Sequence, residues 1–224
     1  MTDGKARAIL TSTTRGVARA GELIWLPIGL MVLITVLDVI NRATPFQVFL
    51  TGLLDEPAHL ATSVLILLAL AGGRRLARHT TLTVTALAAS LLIDIDHIPL
   101  FAGVPYVADD GGRPYSHSLT TVVVLAAAWF ITGRRWPVLA GAAIGVCLHF
   151  TRDIATGPGL QLLWPVSSAF IRMPYAWYLT LVVVLALVCI LRALIPRRSS
   201  RAESRPWSGL RVMTDKEPSE ETRT

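Results

Sequence analysis

The sequence predicts an all-α, polytopic membrane protein of about six transmembrane helices with both termini cytoplasmic. Three observations predict it. Hydrophobic residues make up 53% of the 224 residues and charged residues only 16%, with a mean hydropathy of +0.55. A chain this apolar would overfill a water-soluble core. Its apolar residues are gathered into stretches close to the roughly 20 residues that a span needs. Its arginines stand at the ends of those stretches and are unequally shared between the two sides.

Taken in order, the apolar stretches run from Leu23 to Ile40, Pro57 to Ala71, Thr81 to Ile98, Leu119 to Thr132, Trp136 to Phe150 and Ala176 to Ile195. The second, fourth and fifth are short for a span. The first is preceded by Lys5, Arg7, Arg15 and Arg19, as a secretory signal would be. It is too long for such a signal, and Asp38 and Asn41 stand where a small-residue cleavage site belongs, so a retained helix is expected. The organisation predicted is a cytoplasmic segment over 1–21, a helical membrane domain over 22–195 and a disordered cytoplasmic tail over 196–224. No internal repeat is visible.

Orientation follows from the basic residues. One side holds the N-terminal segment, Arg74, Arg75, Arg78, Arg134, Arg135 and the tail from Arg192 onward; the other holds Arg42, Arg113, Arg152 and Arg172. The richer side is read as cytoplasmic. The net charge of +6 therefore reflects topology. Nucleic acid is not expected as a partner, because the arginines do not form a basic face interleaved with exposed aromatics. The bilayer is, and Arg197, Arg198 and Arg201 serve as a stop-transfer flank.

Four of the five histidines lie beside carboxylates at the ends of apolar stretches. His59 follows Glu56, His97 closes Asp94-x-Asp96-His97, His117 sits in RPYSHS, and His149 lies four residues before Asp153. The topology places every one of these clusters at the extracytoplasmic face. Ionisable groups at membrane depth are costly and persist there mainly for function, so a shared site is expected. The lone His79, beside Arg78, is given no role.

Spacing supplies the chemistry. His149 and Asp153 are one helical turn apart on one face, so an imidazole nitrogen and a carboxylate oxygen can meet one ion. Asp94, Asp96 and His97 are denser, and around a helix end they are not expected to face a single point; two bind and one supports. Adjacent carboxylates repel, and a divalent cation removes that cost. The candidate metal ligands are His59, Asp94, Asp96, His97, His117, His149 and Asp153, more than one tetrahedral ion with an open position uses. Either two ions are held or some members stand behind the ligands. Mixed imidazole and carboxylate ligation suits zinc, manganese or iron, with zinc or manganese preferred.

The ordered stretches LLIDIDHIP, RPYSHSL, LHFTRDIATGPGLQLLWP and IRMP resemble the bacterial membrane-bound metal-dependent hydrolases of the YdjM-like type. The resemblance runs from Glu56 to about Pro174. It implies metal roles for Asp94, Asp96, His97, His117, His149 and Asp153, with His59 in HLATS as the family's earlier histidine. Pro114, Tyr115 and Ser116 depart from the family pattern, and an extra helix precedes His59.

Asp96, Arg113 and Glu56 are the candidate catalytic residues. A guanidinium fork at Arg113, Arg172 or Arg152 can hold a phosphate or carboxylate, or else reach to lipid headgroups. Asp38 is a candidate outer partner of the site. Ser116 and Ser118 read as caps for the fourth helix, and Trp164, Tyr175, Trp177 and Tyr178 as an interfacial belt. Cys147 and Cys189 lie at different depths and are expected unbridged and buried. The function expected is a metal-dependent hydrolase in which metal-activated water attacks an ester or phosphoester of a lipid or lipid-linked substrate. The rivals are a divalent-cation transporter, which would carry ionisable groups through the whole membrane depth, and a protein that metal merely stabilises.

Overall fold

The computed structural model describes residues 24–43, 48–102, 104, 108 and 113–195. The predicted N-terminal segment 1–21 and tail 196–224 lie outside the described residues. Within them the chain is all-helical: α1 (Ile24–Ala43), α2 (Val48–Leu70), α3 (Gly73–Arg78), α4 (Thr80–Leu92), α5 (His97–Phe101), α6 (Leu119–Ile131), α7 (Pro137–Asp153) and α8 (Tyr175–Leu194). The β-structure among the described residues amounts to isolated bridges, Leu160 with Ile171 and Ala108 with Pro114.

Among the described residues four helical stretches are long and apolar enough to cross a membrane: Ile24–Ala43, Gly52–Leu70, Thr80–Pro99 and Tyr175–Leu194. Helices α6, at 13 residues, and α7, at 17, are shorter. The surface matches a bilayer as solvent, with Val123, Val124, Ile131, Leu187 and Leu191 all exposed.

The main departure from the sequence reading is at α2. Hydropathy starts the segment at Pro57, whereas the helix begins at Val48 and runs through that proline. Proline removes one backbone donor, a loss that membrane helices tolerate when neighbours satisfy the freed carbonyl. The consequence is that Asp55 and His59 are one turn apart on a single helical face.

A second departure is at the end of α4. Ile93–Asp96 tightens into a 3-10 turn before α5 resumes. At three residues per turn, positions three apart eclipse, which brings Asp94 and His97 to the same side.

Helix α7 packs closely on α4. A Cβ on Gly141 would lie 2.7 Å from the Leu82 carbonyl oxygen, and one on Gly145 would strike the Ala86 carbonyl oxygen. Only glycine lets the two backbones approach this far. Helices α2 and α8 share a core of Leu65, Ala69, Val182, Leu185 and Ala186, joined by Ile34 from α1. Arg192 of α8 bonds the Ala69 and Leu70 carbonyl oxygens, satisfying the C-terminal end of α2.

The segment after α7 folds back on the bundle. Leu160 and Ile171 exchange backbone hydrogen bonds of 3.1 and 2.8 Å, and Leu119 at the start of α6 donates to the Leu162 carbonyl oxygen. Gly159, at φ 93°, permits this return: a Cβ there would lie 2.6 Å from the Ile171 carbonyl oxygen.

The predicted aromatic belt holds only in part. Trp177 is 68% exposed, but Tyr178 is fully buried, and Trp164 stacks on Tyr115. Both cysteines are free; Cys189 is buried but Cys147, expected inside, is exposed.

Candidate metal centre

The ends of α4 and α7 and the start of α6 meet at one point. There Asp94, His117, His149 and Asp153 each offer one ligand atom, all within 4.8 Å of one another. Four of the distances among Asp94 Oδ1, Asp153 Oδ2, His117 Nε2 and His149 Nε2 define the cluster. His117 lies 2.9 Å from Asp94 and 3.7 Å from Asp153; His149 lies 3.3 Å from Asp94 and 3.1 Å from Asp153. Bonds of roughly 2.1 Å to a tetrahedral ion separate its ligand atoms by about 3.4 Å. The four atoms therefore already stand at the spacing of a metal's ligands.

The imidazole of His149 is oriented from behind. Its Nδ1 donates to the Ser90 carbonyl oxygen at 2.8 Å, which leaves Nε2 to face the two carboxylates. This is the arrangement that metal-binding histidines use, with the outer nitrogen tied to a backbone carbonyl. A proton or a metal ion between that nitrogen and the two carboxylate oxygens would satisfy all three, and the group is one that could hold a metal ion. The donor set, two imidazoles and two carboxylates, suits zinc, manganese or iron.

Two further groups flank this one. Asp96, His97, Asp94 and His117 form the first, with His97 Nδ1 3.0 Å from Asp96 Oδ1 and 3.5 Å from Asp94 Oδ1. Helical spacing alone would not let Asp94, Asp96 and His97 face one point; the 3-10 turn brings all three there. Ser116, read as a cap, bonds Asp96, while Ser118 is the residue before α6 and bonds the Tyr115 carbonyl oxygen instead of capping through its side chain. His117 precedes α6 and is buried. Burial alone would lower its pKa, but the Asp94 and Asp96 carboxylates that bond it hold it above the ordinary histidine value.

The second flanking group is Asp55, His59 and Asp153. His59 Nε2 is 3.1 Å from Asp55 and 3.4 Å from Asp153 Oδ1, the carboxylate oxygen not used by the central set. Its ring stacks on His149 with centroids 4.0 Å apart. His59 thus abuts the centre from α2 without joining the four atoms.

Behind Asp55 lies Arg152, only 1% exposed. It donates to Asp55 and to Asp38, and to the Tyr178 hydroxyl at 3.2 Å. Tyr178 in turn pairs with Thr62 at 2.7 Å, and Tyr175 donates to Asp38. Arg152 is therefore neither a headgroup anchor nor a phosphate fork. Asp38 reaches this network and not the ligands, and Tyr175 and Tyr178 belong to it instead of to an interfacial belt.

The other predicted residues fall as follows. Arg113 Nη1 sits 2.9 Å from Asp153 Oδ2, directly at the centre. Arg172 donates to the Gly157 carbonyl oxygen and is tied to the loop. Glu56 lines a pocket together with Asp94. Asp55, Ser90 and the central role of Arg152 escaped the sequence reading. Asp55 was discoverable, since it stands four residues before His59 as His149 stands four before Asp153.

A family model described as YdjM inner membrane protein matches residues 54–213. Inner membrane protein YdjM of Escherichia coli (strain K12) is 33% identical over 102 residues, 40% of this chain and 52% of that protein. The protein of the same name from Shigella flexneri matches with the same figures. The chain thus spans about half the length of these curated relatives. No solved structure matches. The matched region covers most of the chain and contains α4, α6, α7 and the part of α2 from residue 54, with every residue of the centre, so this membrane protein belongs to the YdjM inner membrane protein family.

Proposed function

We propose that the protein is a membrane-bound metal-dependent hydrolase that cleaves an ester or phosphoester of an amphiphilic substrate at the extracytoplasmic face. One observation carries the reading: two imidazole nitrogens and two carboxylate oxygens lie 2.9 to 3.7 Å apart around a common point. Asp94, His117, His149 and Asp153 would hold zinc or manganese, with Asp96 and His97 beside them as support or as part of a second ion's site. A divalent cation supplies Lewis acidity and lowers the pKa of bound water to about 7.

The chain's own residues provide the rest. Arg113, whose Nη1 pairs with Asp153 Oδ2 at the centre, would turn its remaining donors to the oxygens of a phosphoryl or carboxylate group. Asp96, bonded by Ser116, would take a proton from the attacking water. Glu56, which lines the same pocket as Asp94, would give a proton to the leaving oxygen. The apolar surfaces of α4 and α6 on either side favour a substrate that shares the bilayer. The orientation rests on the arginine asymmetry, which puts these residues opposite the richer basic side.

The test is to load the detergent-purified protein with zinc or manganese and offer it phospholipid in mixed micelles beside water-soluble phosphoesters and esters. Metal-dependent cleavage of the lipid, lost in His149→Ala and Asp94→Ala, is the expected result. Cleavage of soluble substrates alone, equally well without a lipid tail, would remove the lipid. No cleavage of any of them by a stoichiometrically loaded protein would remove the hydrolase.

A further inference from the structure

Beside the centre, α2 and the end of α4 frame a shallow, largely open depression. Glu56 and Asp94 form the polar wall of a pocket of about 330 Å³, and Leu91, Ile95 and Ile98 form its apolar wall. That volume is at the low end for small-molecule sites. It suits part of one alkyl chain rather than a whole lipid.

Where the pocket lies decides what enters it. Leu91, Ile95 and Ile98 all belong to the stretch Thr80–Pro99, which is long and apolar enough to cross a membrane. Ile95 is 54% and Ile98 63% exposed, and Leu53 on α2 and Leu92 on α4 are exposed as well. The rim of the pocket at Ile95 and Ile98 is therefore aliphatic and exposed on a stretch apolar enough to cross a membrane, as a lipid-facing surface would be. A water-soluble substrate gains nothing from such an approach, whereas an alkyl chain moves along it without leaving an apolar environment. Asp94 is shared between the pocket and the four-atom centre. A chain lodged against Leu91 and Ile98 thus brings the group it carries to the metal's ligands.

We propose that this pocket is a lateral port that takes an alkyl chain of a membrane lipid and delivers its head to the centre. The proposal deepens the hydrolase reading by naming how the substrate is held, but lipid binding at the port does not require turnover.

The test uses a phosphatidylglycerol carrying a photoreactive diazirine in one acyl chain, reconstituted with the full-length protein in dioleoylphosphatidylglycerol vesicles and mapped by peptide mass spectrometry. Labelling is expected to concentrate between Leu91 and Ile98. It should fall at least fivefold in Leu91→Trp, which fills the pocket, and in Ile98→Asp, which charges its rim. Val184→Trp, on an exposed face of α8, should leave it unchanged. Circular dichroism and gel filtration in detergent report whether each variant is folded, and if Leu91→Trp is not, Ile98→Asp decides. Labelling spread evenly over all lipid-facing helices, or unaltered in the folded variant, overturns the port. Concentrated labelling without lipid cleavage leaves the port standing and removes the hydrolase; cleavage at wild-type rate with even labelling does the reverse.

Discussion

His149 on α7 donates from Nδ1 to the carbonyl oxygen of Ser90 on α4, 2.8 Å away. The acceptor is backbone, so the contact is set by how the two helices pack and fixes which nitrogen turns to Asp94 and Asp153. The four central atoms should accordingly act as one ligand set. Elemental analysis of the purified protein is expected to find stoichiometric metal in the wild type and none in His149→Ala or Asp94→Ala. Asp96→Ala and His97→Ala, which alter the flanking group, should keep metal at reduced affinity. Full retention in His149→Ala would show that the metal, if any, lies elsewhere.

The same contact makes a distant glycine matter to the site. A side chain at Gly145 must push against the Ala86 carbonyl, separating α7 from α4 one turn before His149. Gly145→Val should destabilise the bundle by about 1–3 kcal/mol and weaken metal binding at least tenfold, with helicity retained. Gly29→Val on α1, where nothing lies within 4 Å, is the matched control. Metal titrations and circular dichroism on the pair distinguish the outcomes, and equal metal affinity in both would separate the packing from the centre.

How much of this was legible in the sequence depends on whether the information was local. Hydropathy locates each long helix among the described residues, and the placement of His59, Asp94, His117 and His149 at the ends of apolar stretches points to a common site. Three features were hidden. Pro57, following two acidic residues, looks like a helix start, so Asp55 was placed outside α2 although it is one turn from His59 on the same face. Arg152 looks like a charged flank of an apolar segment because its partners, Asp55 and Asp38, are 97 and 114 residues away. No local pattern encodes a pairing across that distance. The 3-10 turn at Ile93–Asp96 was likewise invisible, since its effect is on which side chains eclipse and not on which are apolar.

Metal bound to the folded state alone must stabilise it by mass action. At a free metal concentration of one hundred times Kd the gain is about 2.7 kcal/mol. Chelation should therefore lower the melting temperature in detergent, and zinc or manganese should restore it. The restoration should be absent in His149→Ala. A chelator-insensitive melting curve in a protein shown to carry metal would mean that the ion sits on a part of the chain that contributes nothing to the fold.

The buried arginine yields the sharpest separation between holding the fold and shaping the site. Arg152 is nearly inaccessible and faces Asp38 and Asp55 at once. Arg152→Met leaves the buried Asp38 and the half-buried Asp55 beside an apolar side chain, and breaking a buried pair such as Arg152–Asp38 costs about 3–5 kcal/mol. Adding Asp38→Leu to that variant should recover part of the loss, because one uncompensated charge is removed; the two effects should be strongly non-additive. Asp55→Asn has a different signature. It keeps a hydrogen-bonding group beside Arg152 but weakens the acceptor that orients His59 at 3.1 Å, and His59 abuts both Asp153 and His149. Its expected effect is a loss of metal affinity of roughly 10- to 100-fold, as for other partners standing behind metal ligands, with a smaller change in unfolding. Denaturation in graded SDS and metal competition titrations read the two quantities independently. An Asp55→Asn protein with wild-type metal affinity would confine the α2 side of the cluster to a structural role, and an Arg152→Met protein unfolding at the wild-type midpoint would mean that the buried ion pairs add nothing to the bundle.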